Sequence, residues 1–129
     1  GGLMKSIVWS DHQFLIGNWV LDEQHKSIVT KVNEIVTLWK RGASKRDALQ
    51  DLEKLRELFS RHFTVEEMML SDAGSALLDE QREAHGSYCD MANEVILDDN
   101  ISLEMILIDI TEWWTNHILI EDMKFKGIL

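Results

Sequence analysis

Proline is absent from all 129 residues, and cysteine occurs once, at Cys89. Without proline, nothing forces an interruption of the backbone hydrogen-bond ladder, so long helices are favoured over a turn-rich β architecture. A single cysteine excludes an intrachain disulfide and fits a reducing, cytoplasmic setting. Basic residues are outnumbered, 13 Lys and Arg against 23 Asp and Glu, which leaves a net charge of −10. That balance argues against nucleic acid or an anionic membrane surface as a partner. No apolar run approaches the roughly 18 residues that a membrane span requires, and no signal peptide is visible. Hydrophobic residues nevertheless make up 45% of the chain, enough for one domain to bury a sizeable core. Gly1, Gly2 and Leu3 ahead of Met4 read as a vector-derived leader, which makes residues 4–129 a single domain.

The pattern along the chain is helical. Residues 4–21 read as an extended arm, pinned by Trp9, Phe14, Ile16 and Trp19, with His12 as a solvated arm residue. A first helix is expected over about 18–41, ending before Gly42, with the apolar stripe Ile28, Val29, Val32, Ile35, Val36 and Trp39. Stepping that stripe back by three and four lands on His25. Ser44 to Asp47 has the form of a capping box, so a second helix is expected over about 45–70. Its seam is Ala48, Leu52, Leu55, Phe59, His62, Glu66 and Met69. Gly74 breaks the pattern, and Ser75 caps a third helix over about 76–97 with the seam Leu78, Gln81, His85, Tyr88, Ala92 and Val95. Asp98, Asp99 and Asn100 form a loop. Ser102 caps a fourth helix over about 102–121 with the seam Leu103, Ile106, Ile110, Trp113, His117 and Ile120. Four such helices with short joins predict an all-α, antiparallel up-down-up-down four-helix bundle with an N-terminal arm.

The seams contain residues that a core would ordinarily reject. His62 and Glu66 stand four apart, so they project from one face of a helix. Burying an imidazole and a carboxylate without partners costs about several kcal/mol. Four of the five histidines fall one per helix, each on the inward face: His25, His62, His85 and His117. Asp122 follows His117 by five, which sets it off the seam of an ideal helix and calls for a local widening there. Imidazoles and carboxylates without a thiolate suit iron, manganese or zinc. Two carboxylates able to bridge, Glu66 and Asp122, favour a dinuclear site. The spacing is not the Glu-x-x-His of ferritin-like sites, nor the His-Glu-x-x-His of zinc proteases. Cys89, four after His85, is read as a small hydrophobe. Glu67 points about 100° from Glu66 and is read as a surface group or a support to the site. Trp113, with Leu55, Phe59 and Ile110, is expected to wall a pocket and keep water out.

Trp9-Ser10, Gly17, Asp22-Glu23-Gln24-His25-Lys26, His62-Phe63-x-x-Glu66-Glu67 and Trp113-x-x-Asn116-His117-Ile118-x-x-x-Asp122, at these separations, resemble the hemerythrins, and most closely the bacterial hemerythrin-like domains. The resemblance covers nearly all of the chain from Trp9 to Phe125. It implies two non-haem iron ions with an oxo or hydroxo bridge, also bridged by Glu66 and Asp122. His25 and His62 would hold the iron that binds dioxygen, and His85 and His117 the other. That second iron carries a third histidine in the family, four residues before His85. This chain has Gln81 there. Three consequences stay open: weak ligation through the amide oxygen, a water held in the position, or a second iron left open or lost.

The resemblance implies a non-enzymatic protein that binds dioxygen or another small diatomic molecule or anion, for carriage, storage or sensing. Two alternatives accompany it. One is an oxygen or redox sensor domain of a larger signalling protein, which the apolar Ile128-Leu129 end would fit. The other is a di-iron peroxidase or nitric-oxide-reducing enzyme that uses the position opened by Gln81.

Overall fold

The computed structural model describes Ile7, residues 15–117 and residues 122–125. The side chain of Asn18 accepts the Leu21 N–H at 3.1 Å and starts α1, Trp19–Lys40. At its far end the Gly42 N–H reaches the Trp39 carbonyl and the Ala43 N–H the Leu38 carbonyl. This paired closure places Gly42 at a φ of 94°, a conformation that only glycine adopts without strain. Gly74, at a φ of 64°, closes the second helix in the same way.

The capping box is present, but it does not start the second helix directly. The Ser44 N–H donates to the Asp47 carboxylate (2.9 Å) and the Asp47 N–H to Ser44 Oγ (3.2 Å). These bonds close a separate turn over 45–48. The Leu49 N–H then reaches only the Arg46 carbonyl, three residues back, a tightened step that precedes regular α2, Leu49–Asp72. Lys45 uses that turn to reach across the bundle. Its Nζ donates to the carbonyls of Val95 (2.9 Å) and Asp98 (2.6 Å), placing a cation at the negative end of the third helix. Ser75 Oγ accepts the Leu77 N–H ahead of α3, Leu78–Leu97. The side chain of Ser102 accepts the Met105 N–H at 3.3 Å and starts α4, Leu103–Asn116. His117 enters a π-type turn. The widening expected between His117 and Asp122 falls on residues 118–121, outside the described residues. A 3-10 turn, Asp122–Phe125, follows.

The helices form the antiparallel four-helix bundle, with α1 against α2 and α4, and α2 against α3. Among the described residues no helix is long and apolar enough to cross a membrane. The side chain of Asn33 pins the arm at Ile7, accepting its N–H (2.7 Å) and donating to its carbonyl (2.8 Å). The buried Asp22 carboxylate accepts the Ile16 and Gly17 N–H groups at 2.9 and 3.2 Å. Ile16 is buried as expected, whereas Trp19, expected to pin the arm, is 77% exposed because it is the first residue of α1 and faces outward. Trp9, His12 and Phe14 lie outside the described residues.

The core has two apolar layers. The larger contains Ile28, Val32, Leu55, Phe59, Phe63, Tyr88, Ile110 and Trp114. The smaller, at one end of the bundle, contains Ile16, Leu21, Leu70 and Phe125. Along every helix the buried polar residues fall between members of these two layers. That slab of His25, His62, Glu66, Gln81, His85 and His117 is buried. Two seam residues differ from expectation. Leu70 rather than Met69 is buried after Glu66, and Trp114 rather than Trp113 after Ile110. In both places the inward step is four residues rather than three, following the 3.6-residue period of a straight helix.

Candidate metal centre

Each helix of the bundle presents one imidazole to the polar slab, and α2 adds Glu66 at its centre. On one side, His25 Nε2 and His62 Nε2 are 3.1 Å apart, and His62 Nε2 is 3.1 Å from Glu66 Oε2. On the other, Glu66 Oε1 lies 3.1 Å from His85 Nε2 and 3.8 Å from His117 Nε2. The two oxygens of one carboxylate thus face two different pairs of imidazoles. His25, His62 and Glu66 form one buried triplet of potential ligand atoms, and Glu66, His85 and His117 a second, with the atoms of each triplet within 4.8 Å of one another.

The remaining ring nitrogens fix what the centre can hold. His62 Nδ1 is 2.9 Å from Gln24 Oε1, and His85 Nδ1 is 3.2 Å from Glu67 Oε2. Both oxygens are acceptors, so each Nδ1 carries the proton. With the proton on Nδ1, a neutral ring presents the Nε2 lone pair, and in both residues Nε2 faces a carboxylate oxygen at 3.1 Å. Lone pairs brought together in a dry core repel unless a cation sits among them. Imidazole nitrogens and carboxylate oxygens are the donor set that iron, manganese and zinc accept. Two divalent ions sharing Glu66 fit these residues.

Aromatic rings hold the imidazoles in place. Trp114, fully buried, stands edge-on to His25 (5.3 Å between ring centroids, 83°) and to His62 (5.7 Å, 82°). Its Nε1 has no hydrogen-bond partner among the described residues. Phe63 stacks on His85 at 3.9 Å and Trp113 on His117 at 4.7 Å. Trp113 is therefore a wall of the His85 and His117 side, and it packs on Tyr88 as well. Burial and the neighbouring Cys89 push the Tyr88 phenol up, which keeps it protonated. Cys89 is only partly buried and packs against the apolar core. The cluster of candidate ligand atoms among the described residues does not include it.

Of the residues singled out in the sequence, His25, His62, Glu66, His85 and His117 converge in space. Gln81 lies one turn before His85 on the same buried face, and neither amide atom has a partner among the described residues. Asp122 opens the final 3-10 turn, and its side chain lies outside what is described. The sequence reading missed Trp114 as a buried neighbour of the histidines, Gln24 as the partner of His62 and Phe63 as the ring under His85. Gln24 adjoins His25 and Phe63 adjoins His62 in the sequence, so adjacency to a ligand was the available signal.

The chain is similar to known proteins over most of its length. The family model described as the hemerythrin HHE cation binding domain matches residues 17–129. The chain is similar to a myohemerythrin of Theromyzon tessulatum, 28% identical over 122 residues that span 92% of this chain and 91% of that protein. It is also similar to a hemerythrin-like protein of Naegleria gruberi, 26% identical over 119 residues, again 92% and 91% of the two chains. The crystal structure of wild-type hemerythrin superposes with a TM-score of 0.85 at 20% identity, over 95% of this chain and 97% of that one.

Proposed function

The chain belongs to the hemerythrin family, and from that premise we propose that it binds dioxygen reversibly at an iron held by His25 and His62. The family is one of non-haem di-iron oxygen-binding proteins, and such a pair of irons, when bound, supplies the electrons that reversible dioxygen binding draws on. The observation that carries the reading is the pair of buried triplets that share Glu66. His85 and His117 would hold the second iron, and Asp122 would complete the bridging with Glu66.

The roles of the chain's own residues follow from their contacts. Gln24 and Glu67 hold the Nδ1 protons of His62 and His85, which keeps each Nε2 available as a ligand. Glu66 offsets cationic charge on both sides at once. Trp114 and Phe59 pack edge to face at 5.0 Å and close the space beside His25 and His62, both fully buried. Such a wall excludes bulk water and leaves room for a small ligand only. This dryness supports the assignment of dioxygen to the His25 and His62 side, which the family resemblance implies.

The test is optical. Iron-loaded, anaerobically reduced protein should develop a visible ligand-to-metal charge-transfer band on admission of dioxygen and lose it on purging with argon. Two irons per chain with no such band would overturn the assignment.

A further inference from the structure

The two sides of the centre each offer two imidazoles and one oxygen of Glu66, but their surroundings differ. On the α3 side, Gln81 stands one helical turn before His85, fully buried. Among the described residues neither its Oε1 nor its Nε2 has a hydrogen-bond partner. An amide sealed in this way forfeits hydrogen bonds that water would have given it, so something other than the described side chains satisfies it. The second observation is independent. His117 lines a surface cleft of about 460 Å³, together with Glu80, Glu83, Ser87, Trp113 and Asn116. His25 and His62, by contrast, line none of the described clefts and are walled by Trp114.

We propose that the His85 and His117 side carries an exchangeable ligand position, separate from the dioxygen position, in which Gln81 holds a small hydrogen-bonding ligand. Water occupies it at rest, and a small singly charged anion displaces it. The amide suits this role because it both donates and accepts. Its Nε2–H groups serve an anion, while Oε1 serves the protons of a water. An amide oxygen is a weaker donor to iron than an imidazole nitrogen, so Gln81 leaves the position to an exchangeable ligand where an imidazole would fill it. Access comes through the cleft at His117. Its mouth is acidic at Glu80 and Glu83, although Lys124 pairs with Glu80 at 2.8 Å. That charge disfavours multiply charged anions such as phosphate.

This inference rests on the di-iron reading above, and the experiment separates the two. Azide is the probe, titrated into the oxidised, iron-loaded chain and followed by calorimetry and by its charge-transfer absorption, with iron per chain measured on the same sample. The expected result is two azides per pair of irons in the natural chain. Gln81→His, which fills the position with an imidazole, should bind one. Gln81→Leu, which keeps the space and removes the amide, should bind the second azide at least tenfold more weakly. Phosphate at the same concentrations should displace neither. Two irons with a single azide, unchanged in Gln81→His, would overturn the exchangeable position and leave the di-iron reading standing. A chain that retains no iron would overturn both. A readout without metal accompanies these. In the metal-free protein, Gln81→Leu should melt several degrees above the natural chain, because it removes a buried amide that has no partner. A lower melting temperature would mean that the protein itself satisfies Gln81, which would count against the proposal.

Discussion

The His25 and His62 side and the His85 and His117 side of the candidate centre offer the same donor types and share one carboxylate, yet their surroundings differ. The first is sealed, with Trp114 edge-on to both rings, and His62 leans on a neutral amide, Gln24. The second opens to a cleft at His117. There His85 leans on a carboxylate, Glu67, which Arg82 approaches at 3.5 Å. A carboxylate on Nδ1 makes the imidazole a stronger donor than an amide does. Like ligands therefore do not imply like chemistry. Access and the partner of the far ring nitrogen set the difference, and both lie outside the ligand set.

The largest effect should come from the residue that the two sides share. Glu66→Ala should abolish iron binding on both sides, taking iron from two per chain to none by elemental analysis. Retention of one iron would show that the carboxylate serves a single side. Next comes the sealed side. Trp114→Ala should cost about 3–5 kcal/mol in denaturant unfolding of the metal-free chain through the cavity it leaves. Trp114→Phe, which keeps most of the volume, should cost less than about 1.5 kcal/mol. Equal costs would mean that the lost indole N–H rather than the packing matters. On the open side, Glu67→Gln should weaken one iron by about 10–100-fold and leave the other unchanged, read from stepwise release to a chelator. Loss of both irons in parallel would remove the distinction between the sides.

The smallest effect concerns Cys89. Burial, then Asp90 and Glu67, push its thiol up, so at neutral pH it is protonated and should react with a thiol reagent more slowly than free cysteine. A raised value means that labelling accelerates as pH rises through it. Glu67→Gln removes one of the negative charges responsible and should shift that acceleration to lower pH. A rate that does not respond to Glu67→Gln would show that burial alone governs the thiol.

Much of the bundle was legible because helical periodicity is a local property. His25, His62, His85 and His117 stand at positions where an apolar seam runs through them, and a buried polar side chain requires a partner. The boundaries were less legible. Ser44 and Asp47 do form a capping box, but a tight step at Leu49 separates it from α2, and Lys45 between them reaches across to the end of α3. Trp113 and Trp114 are both compatible with the pattern of α4. Only the straightness of that helix decides which one is fully buried.

The sequence by itself determined that four helices would each bring a histidine inward, and that Glu66 would share a face with His62, because three- and four-residue spacings on a helix are fixed by its geometry. It also determined that Gln81 would stand one turn before His85. The tertiary structure alone decided that the two oxygens of Glu66 divide between the two pairs of imidazoles. It alone also sealed one side with Trp114 and left the other in contact with a cleft. Those outcomes depend on how the helices are rotated and set against one another, which is settled by contacts between residues distant in the chain.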